Sequence, residues 1–111
     1  MSSVGFTIKG LLDVAAFNAF MSRLLEEKAA DLFRTKGLLA FEDQGDSKFL
    51  FQGVHEQIDF GASEMNWQPG EERISKMVFI GKNLDYDGLR EGLLAATSDP
   101  ATAVITMHKR T

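Results

Sequence analysis

The sequence predicts an α+β domain, a mainly antiparallel sheet of four or five strands with two helices packed on one face. Three observations carry this. The stretch from Lys48 to Gly81 holds two strongly apolar runs joined by a polar loop that contains Trp67. Between residues 14 and 33, Phe17, Phe20, Met21, Leu24, Leu25, Leu32 and Phe33 recur near helical spacing. Arg23, Glu26, Glu27, Lys28 and Asp31 fall mostly on the opposite side of that helix. A shorter helix begins near Asp85, with Leu89, Leu93 and Ala96 on one side.

Taken in order, residues 4–9 alternate Val, Phe and Ile with small or polar partners, as a half-buried strand does. Asp13 stands where a helix N-cap would accept from the free amides of the first turn. The predicted helix runs about five turns to Phe33. Arg34 and Lys36 then lie at the negative end of its dipole, and Gly37 can take the left-handed conformation that stops a helix. Residues 38–41 read as a short buried strand and EDQGDS as a turn. Residues 48–60 read as the longest strand. Phe49 and Phe51 point to one face, Leu50, Val54, Ile58 and Phe60 to the other, and Gly53 marks a bulge or a close backbone approach. Residues 61–73 carry a Pro-Gly turn and form a loop, and residues 74–80 return to strand. After Thr97 the SDPATA segment breaks structure, AVITM can add an edge strand, and HKRT is a frayed end.

At 111 residues this is material for one domain, and 44% hydrophobic residues with nine Phe supply its core. A net charge of −4, with basic residues scattered singly or in pairs, argues against nucleic acid, whose phosphates demand clustered Lys and Arg. No apolar run approaches the roughly 20 residues of a membrane helix, and no secretory leader is visible, so the expectation is a cytoplasmic protein. With no cysteine, the chain offers no disulfide, thiolate zinc site or cysteine nucleophile.

The candidate chemistry is sparse. A zinc site needs three or four converging ligands, yet the chain has two histidines, His55 in a strand and His108 in the tail. A surface or hydrogen-bonded His55 outweighs a ligand. GKNLD stands before a helix, but it lacks the first glycine and the hydroxyl of a phosphate-cradling P-loop. Carboxylates flanking turns (Glu42, Asp43, Asp46, Glu71, Glu72) read as solvated charge, and no serine sits in a nucleophile elbow. No catalytic residue, metal ligand or cofactor is assigned. Arg34 and Lys36 suit a carboxylate or phosphate on a partner as well as a helix end. Trp67 suits an interface anchor, though folding back over the apolar sheet face slightly outweighs it.

Three blocks add a family. RTKGLLAF at 34–41, KFLFQGVHEQIDF at 48–60, and Trp67 followed by RISKMVFIGKNLD at 73–85 resemble, in order and spacing, the CobW C-terminal domain. The resemblance covers residues 4–96, with a domain assigned to 1–97 and a tail, able to add an edge strand, to 98–111. It implies an accessory domain of CobW-type P-loop GTPases linked to zinc or cobalt delivery and cobalamin biosynthesis. Neither a P-loop nor the cysteine-containing metal motif of those GTPases is present here. The implied role is therefore contact without catalysis, with a CobW-type GTPase domain or a metal-receiving client as partner. Arg34, Lys36, His55, Trp67 and Arg73 are the candidate partner-binding residues. The alternative is a free-standing small-ligand or metal-binding module centred on the His55 strand, and an independent enzyme is the third and weakest reading.

Overall fold

The computed structural model describes residues 2–28, 30–42, 44–54 and 57–110. Among them the chain forms β1 (Ser2–Lys9), α1 (Val14–Lys28), β2 (Leu32–Leu39), β3 (Ser47–Val54), β4 (Gln57–Asn66), β5 (Ile74–Gly81), α2 (Tyr86–Ala95) and β6 (Val104–Arg110). The strands make one six-stranded sheet in the order β4-β3-β2-β5-β1-β6. Every pairing between these strands is antiparallel.

The alternation of β1 buries Val4, Phe6 and Ile8 on one face, opposite Phe79, Met77 and Ser75 of β5. Both helices supply their buried residues to the same core: Phe17, Phe20 and Met21 from α1, Leu89 and Leu93 from α2. Asp13 caps α1 as its position implied, its carboxylate accepting from the Ala16 N–H at 2.9 Å. Asp85 does the same for α2, accepting from the Gly88 N–H at 3.1 Å. At the centre of the core, the Phe17 ring meets Phe41 edge-on at 5.6 Å and Phe51 at 5.9 Å.

The sheet has one strand more than the upper expectation, and three local differences explain the change. First, α1 ends at Lys28 rather than near Phe33. A turn there, with the Asp31 N–H donating to the Lys28 carbonyl at 3.0 Å, sends residues 32–39 into the sheet between β3 and β5. Arg34 and Lys36 therefore lie on a strand, not at a helix end. Gly37 is not among the glycines of positive φ, which are Gly10, Gly45 and Gly70. It is required by packing instead: a Cβ there would run into the buried Met77 sulfur and stand 3.0 Å from the Lys76 carbonyl oxygen.

Second, residues 48–60 are two strands. Val54 pairs with Gln57, so the chain reverses between them. The reversal puts Ile58 and Phe60 on the same face as Phe49 and Phe51, with Phe60 directly across from Phe51. Gly53 stays in register; it faces Thr35, whose hydroxyl would be 2.6 Å from a Cβ at 53 and has no hydrogen-bond partner. The irregularity lies instead between the Ser47 and Phe49 pairings. Third, β4 continues to Asn66, leaving only residues 67–73 as the loop. At the other edge, β6 pairs with β1 through Arg110, so the segment expected to fray is held by the ladder.

One buried polar contact ties distant segments. The Ser75 hydroxyl, wholly buried in β5, accepts from the Ala40 N–H at 2.8 Å. Ser75→Ala would strand that amide, and an unpaired buried donor costs about 2 kcal/mol. Urea unfolding should show that loss, and an unchanged midpoint would mean the amide finds another acceptor.

Candidate functional site

The helices cover one face of the sheet. On the opposite face, strand alternation lines up the outward side chains of β2, β3 and β5 in cross-strand rows. Arg34 lies between Val54 and Ile80, Lys36 between Gln52 and Val78, and Leu38 between Leu50 and Lys76. β1 continues these rows with the small residues Ser3, Gly5 and Thr7. Leu50, Val54 and Val78 are 42%, 49% and 38% exposed, so this face carries uncovered aliphatic surface. Leu38 and Ile80 are half-buried, and Arg34, Lys36 and Lys76 are exposed.

The charge on this face is mostly positive, with Asp59 of β4, across from Gln52, standing in the Lys36 row. Ion pairs among the described residues join Lys9 to Glu72, Lys48 to Glu71 and Arg73 to Asp46. Arg34, Lys36 and Lys76 take part in none of them. Arg34 and Lys36 were singled out from sequence, though as a helix end. Lys76, Leu50 and Val78 carry no site role in the sequence reading. The signal for them is the alternation in ISKMVFIG, which turns Lys76 and Val78 away from the buried Ser75, Met77 and Phe79.

The other candidates lie elsewhere. Trp67 is only 5% exposed; its N–H donates to the Asp46 carbonyl at 2.7 Å and Lys48 Nζ stands 4.8 Å from its ring centre. Arg73 donates to the Gly45 carbonyl at 2.6 Å and to the Asp46 carboxylate. The Trp67 backbone N–H and the Arg73 side chain thus tie the 67–73 loop onto the 44–47 turn. His55 lies outside the described residues. Among the described residues no group of three or more His, Asp or Glu is placed to hold a metal ion.

The same clamp contains a titrating group. Glu71 accepts from the Gln68 N–H at 2.8 Å and from Lys48 Nζ at 3.1 Å. The backbone donor at Gln68 first, and Lys48 second, hold its pKa below the usual 4.5. A depressed carboxylate contributes stability above its unfolded pKa and loses it as pH falls through the folded one. Acidification below 4.5 should therefore loosen the loop. Trp67 fluorescence is expected to red-shift there, and Glu71→Gln should show the shifted emission already at neutral pH. Identical acid profiles for both proteins would sink the assignment.

GKNLD forms the link from β5 to α2, with Asn83 at φ 53°. Its capacity for an anion is poor, because the Asp85 carboxylate already accepts from the Gly88 amide of α2 and Asp87 adds a second negative charge in the first turn. Beside it, a cavity of about 390 Å³ opens between the end of α1 and the start of α2. Phe20, Leu24, Leu84 and Leu89 form its apolar wall, while Arg23, Glu27, Asp31 and Glu91 mix both signs of charge around it. No helix among the described residues is long and apolar enough to cross a membrane.

The fold and its bare face define a class: a small α+β domain whose antiparallel sheet is covered by helices on one side only. The family follows from comparison. The model of the cobalamin synthesis protein cobW C-terminal domain matches residues 1–97, and the chain belongs to that family. Among solved structures, the Zn(II)-bound YjiA GTPase from E. coli and a Zn(II)-bound triple mutant of YjiA are similar to it, each with a TM-score of 0.79 and 29% identity. Each alignment covers 86% of this chain but only 29% of the YjiA chain. The domain therefore resembles the C-terminal part of a GTPase family and spans under a third of that neighbour's length.

Proposed function

We propose that this domain is an accessory, non-catalytic module of the CobW-type GTP-dependent metal chaperone system. It works by packing against a CobW-type GTPase domain or against the client that receives the metal. The observation that carries the reading is the uncovered sheet face, where aliphatic side chains stand exposed beside cations that form no ion pair among the described residues. Exposed apolar patches on a soluble domain mark interaction sites. The Zn(II) bound in YjiA favours zinc over cobalt as the metal concerned. Arg34 and Lys36 are the contact residues proposed on this face, and His55 is a further proposed contact. Trp67 and Arg73 serve by holding the adjacent loop. A cytoplasmic setting, without nucleic acid or membrane as partner, accords with the net charge of −4.

Such a module can couple nucleotide state to partner affinity only by contacting one state better than the other. Calorimetry of this chain against a CobW-type GTPase lacking its own C-terminal domain tests this. Saturable binding is expected, at least tenfold tighter in one nucleotide state. Negligible heats with GTP analogue, with GDP and without nucleotide would sink the GTPase-partner reading. GTP hydrolysis by the isolated chain above a buffer blank would refute the non-catalytic assignment.

A further inference from the structure

We infer that the bare sheet face receives an acidic, amphipathic protein segment in which carboxylates alternate with aliphatic side chains. This deepens the reading that the domain works by contact, and names the chemistry of what it contacts.

The argument begins with the three cations. Arg34 and Lys36 are two residues apart on β2, so they share a face at a spacing of about 7 Å. Lys76 lies diagonally across from Lys36, because Lys36 pairs with Val78 on β5. Like charges this close, within a Debye length of about 8 Å at physiological salt, repel one another. Among the described residues none of the three is ion-paired; Asp59 shares their face, but stands two strands from Lys36, beyond Gln52. This positive cluster stands on a chain whose net charge is −4, so its sign is a local feature and not a consequence of composition.

Aliphatic side chains separate the cations. Val54 and Ile80 flank Arg34, Val78 flanks Lys36, and Leu38 flanks Lys76. A ligand that only neutralised charge would leave these exposed, and a wholly apolar ligand would bury the cations unpaired, which is costly. A segment alternating carboxylates with aliphatic residues satisfies both. Arg34 adds direction, since its planar guanidinium can take a carboxylate with two parallel hydrogen bonds. The sheet face measures about 24 Å across six strands and about 26 Å along them. That is on the order of 600 Å², comparable with the roughly 800 Å² that each partner of a standard interface contributes.

Two other occupants fit less well. A second copy of the chain docked face to face would set Arg34, Lys36 and Lys76 against the same cations. Single-stranded nucleic acid is bound by aromatic platforms as well as charge. Here the outward residues in the cross-strand rows of β2, β3 and β5 include no aromatic side chain, and Phe49, Phe51 and Phe79 sit on or against the helix-side core.

A random 12-residue peptide library displayed on phage and selected on the intact chain tests the inference without presupposing a partner. Enriched sequences should interleave Asp or Glu with Leu, Ile or Val. The synthetic peptide of the dominant sequence should lose at least tenfold in affinity for the R34E/K36E/K76E variant, and again between 50 and 500 mM salt. Selection on that variant should instead yield basic peptides, a result that a merely unfolded protein would not give. Leu50→Ser/Val78→Ser should weaken the wild-type peptide at least fivefold. Enriched peptides without carboxylates, affinities within twofold for the charge-reversed variant, or tighter binding of a 20-residue uridine oligonucleotide would each overturn the inference. Peptide binding on this face together with no binding to a CobW-type GTPase would retain the inference and reject the GTPase partner, so the two can fail separately.

Discussion

Phe17→Ala is expected to lower the unfolding free energy by about 4 kcal/mol, within the range for removing a buried phenylalanine from a core. Phe17 is wholly buried, and its ring touches Phe41, Phe51 and Phe60, the last at 6.0 Å. Its position decides the size of the effect. Phe41 lies just beyond β2, Phe51 in β3 and Phe60 in β4, so one side chain of α1 joins the helix to the outer half of the sheet. Phe60 is itself 36% exposed at the sheet margin, and it also meets Phe41, Phe49 and Phe51, so the loss spreads through one aromatic cluster. Alanine would leave a void with rigid aromatic walls that cannot collapse to fill it. Since single domains are stable by only about 5–15 kcal/mol, the variant should be close to unfolding at 37 °C. Urea denaturation followed by Trp67 fluorescence measures it, and a loss below 1 kcal/mol would mean that α1 does not sit on β3 and β4 as described. Hydrogen exchange should separate the halves of the sheet: amides of β3 and β4 should lose protection before those of β1 and β5.

How far the sequence shows this arrangement depends on which physical signal each element carries. α2 is legible because an N-cap, Asp85, and leucines four apart at 89 and 93 agree. The start of α1 is legible at Asp13 for the same reason. Its end is not. Leu32 and Phe33 fall seven and eight residues after Leu25, which is helical spacing, so the apolar pattern runs on through a turn that the backbone makes at 28–31. That turn is fixed by a long-range bond, the Lys82 N–H donating to the Asp31 carbonyl at 2.9 Å, and no local pattern reports it. The reversal after Val54 is hidden similarly, since KFLFQGVHEQIDF contains no Asn-Gly or Asp-Gly hairpin signal.

For the candidate site, residue types were readable and the face was not. Arg34 and Lys36 stand out by their chemistry, yet a helix end would point them around a cylinder, whereas a strand points both to one side. Lys76 and Val78 join them only through the β2–β5 register. Trp67 shows the reverse case. A tryptophan in a polar loop suits a docking anchor from sequence, but here it is covered by its own chain through Lys48 and Asp46. Which side of a sheet its helices leave bare follows from the packing of the whole chain.

Gly81→Ala should cost about 3 kcal/mol, at the upper end for forcing one extra carbon into a packed site. Gly81 closes β5, paired with Ser2 on one side and Leu32 on the other. A Cβ there would overlap the Asp31 carbonyl oxygen and lie 3.1 Å from its carbonyl carbon and 3.2 Å from Leu32 Cα. These are backbone atoms, so no side-chain rotation can relieve the clash. The Asp31 carbonyl is also the acceptor for Lys82, so moving it away sacrifices that hydrogen bond. Gly61→Ala is the control, because its Cβ meets nothing within 4 Å and its φ is not positive; its stability should change by less than about 1 kcal/mol. The consequence extends to the bare face. The β2–β5 register shifts between Leu32 and Arg34, immediately beside Gly81, and it is this irregularity that sets Arg34 opposite Ile80. Displacing the 31–32 backbone should therefore disturb Arg34 as well as the fold. In a Gly81→Ala protein held folded by low temperature, amide shifts should spread from residue 81 to Arg34 and leave Val54 and Gln52 unmoved. A stability loss below 1 kcal/mol, or shifts confined to the α2 side of residue 81, would show that β2 and β5 do not close as tightly at Gly81 as these distances require.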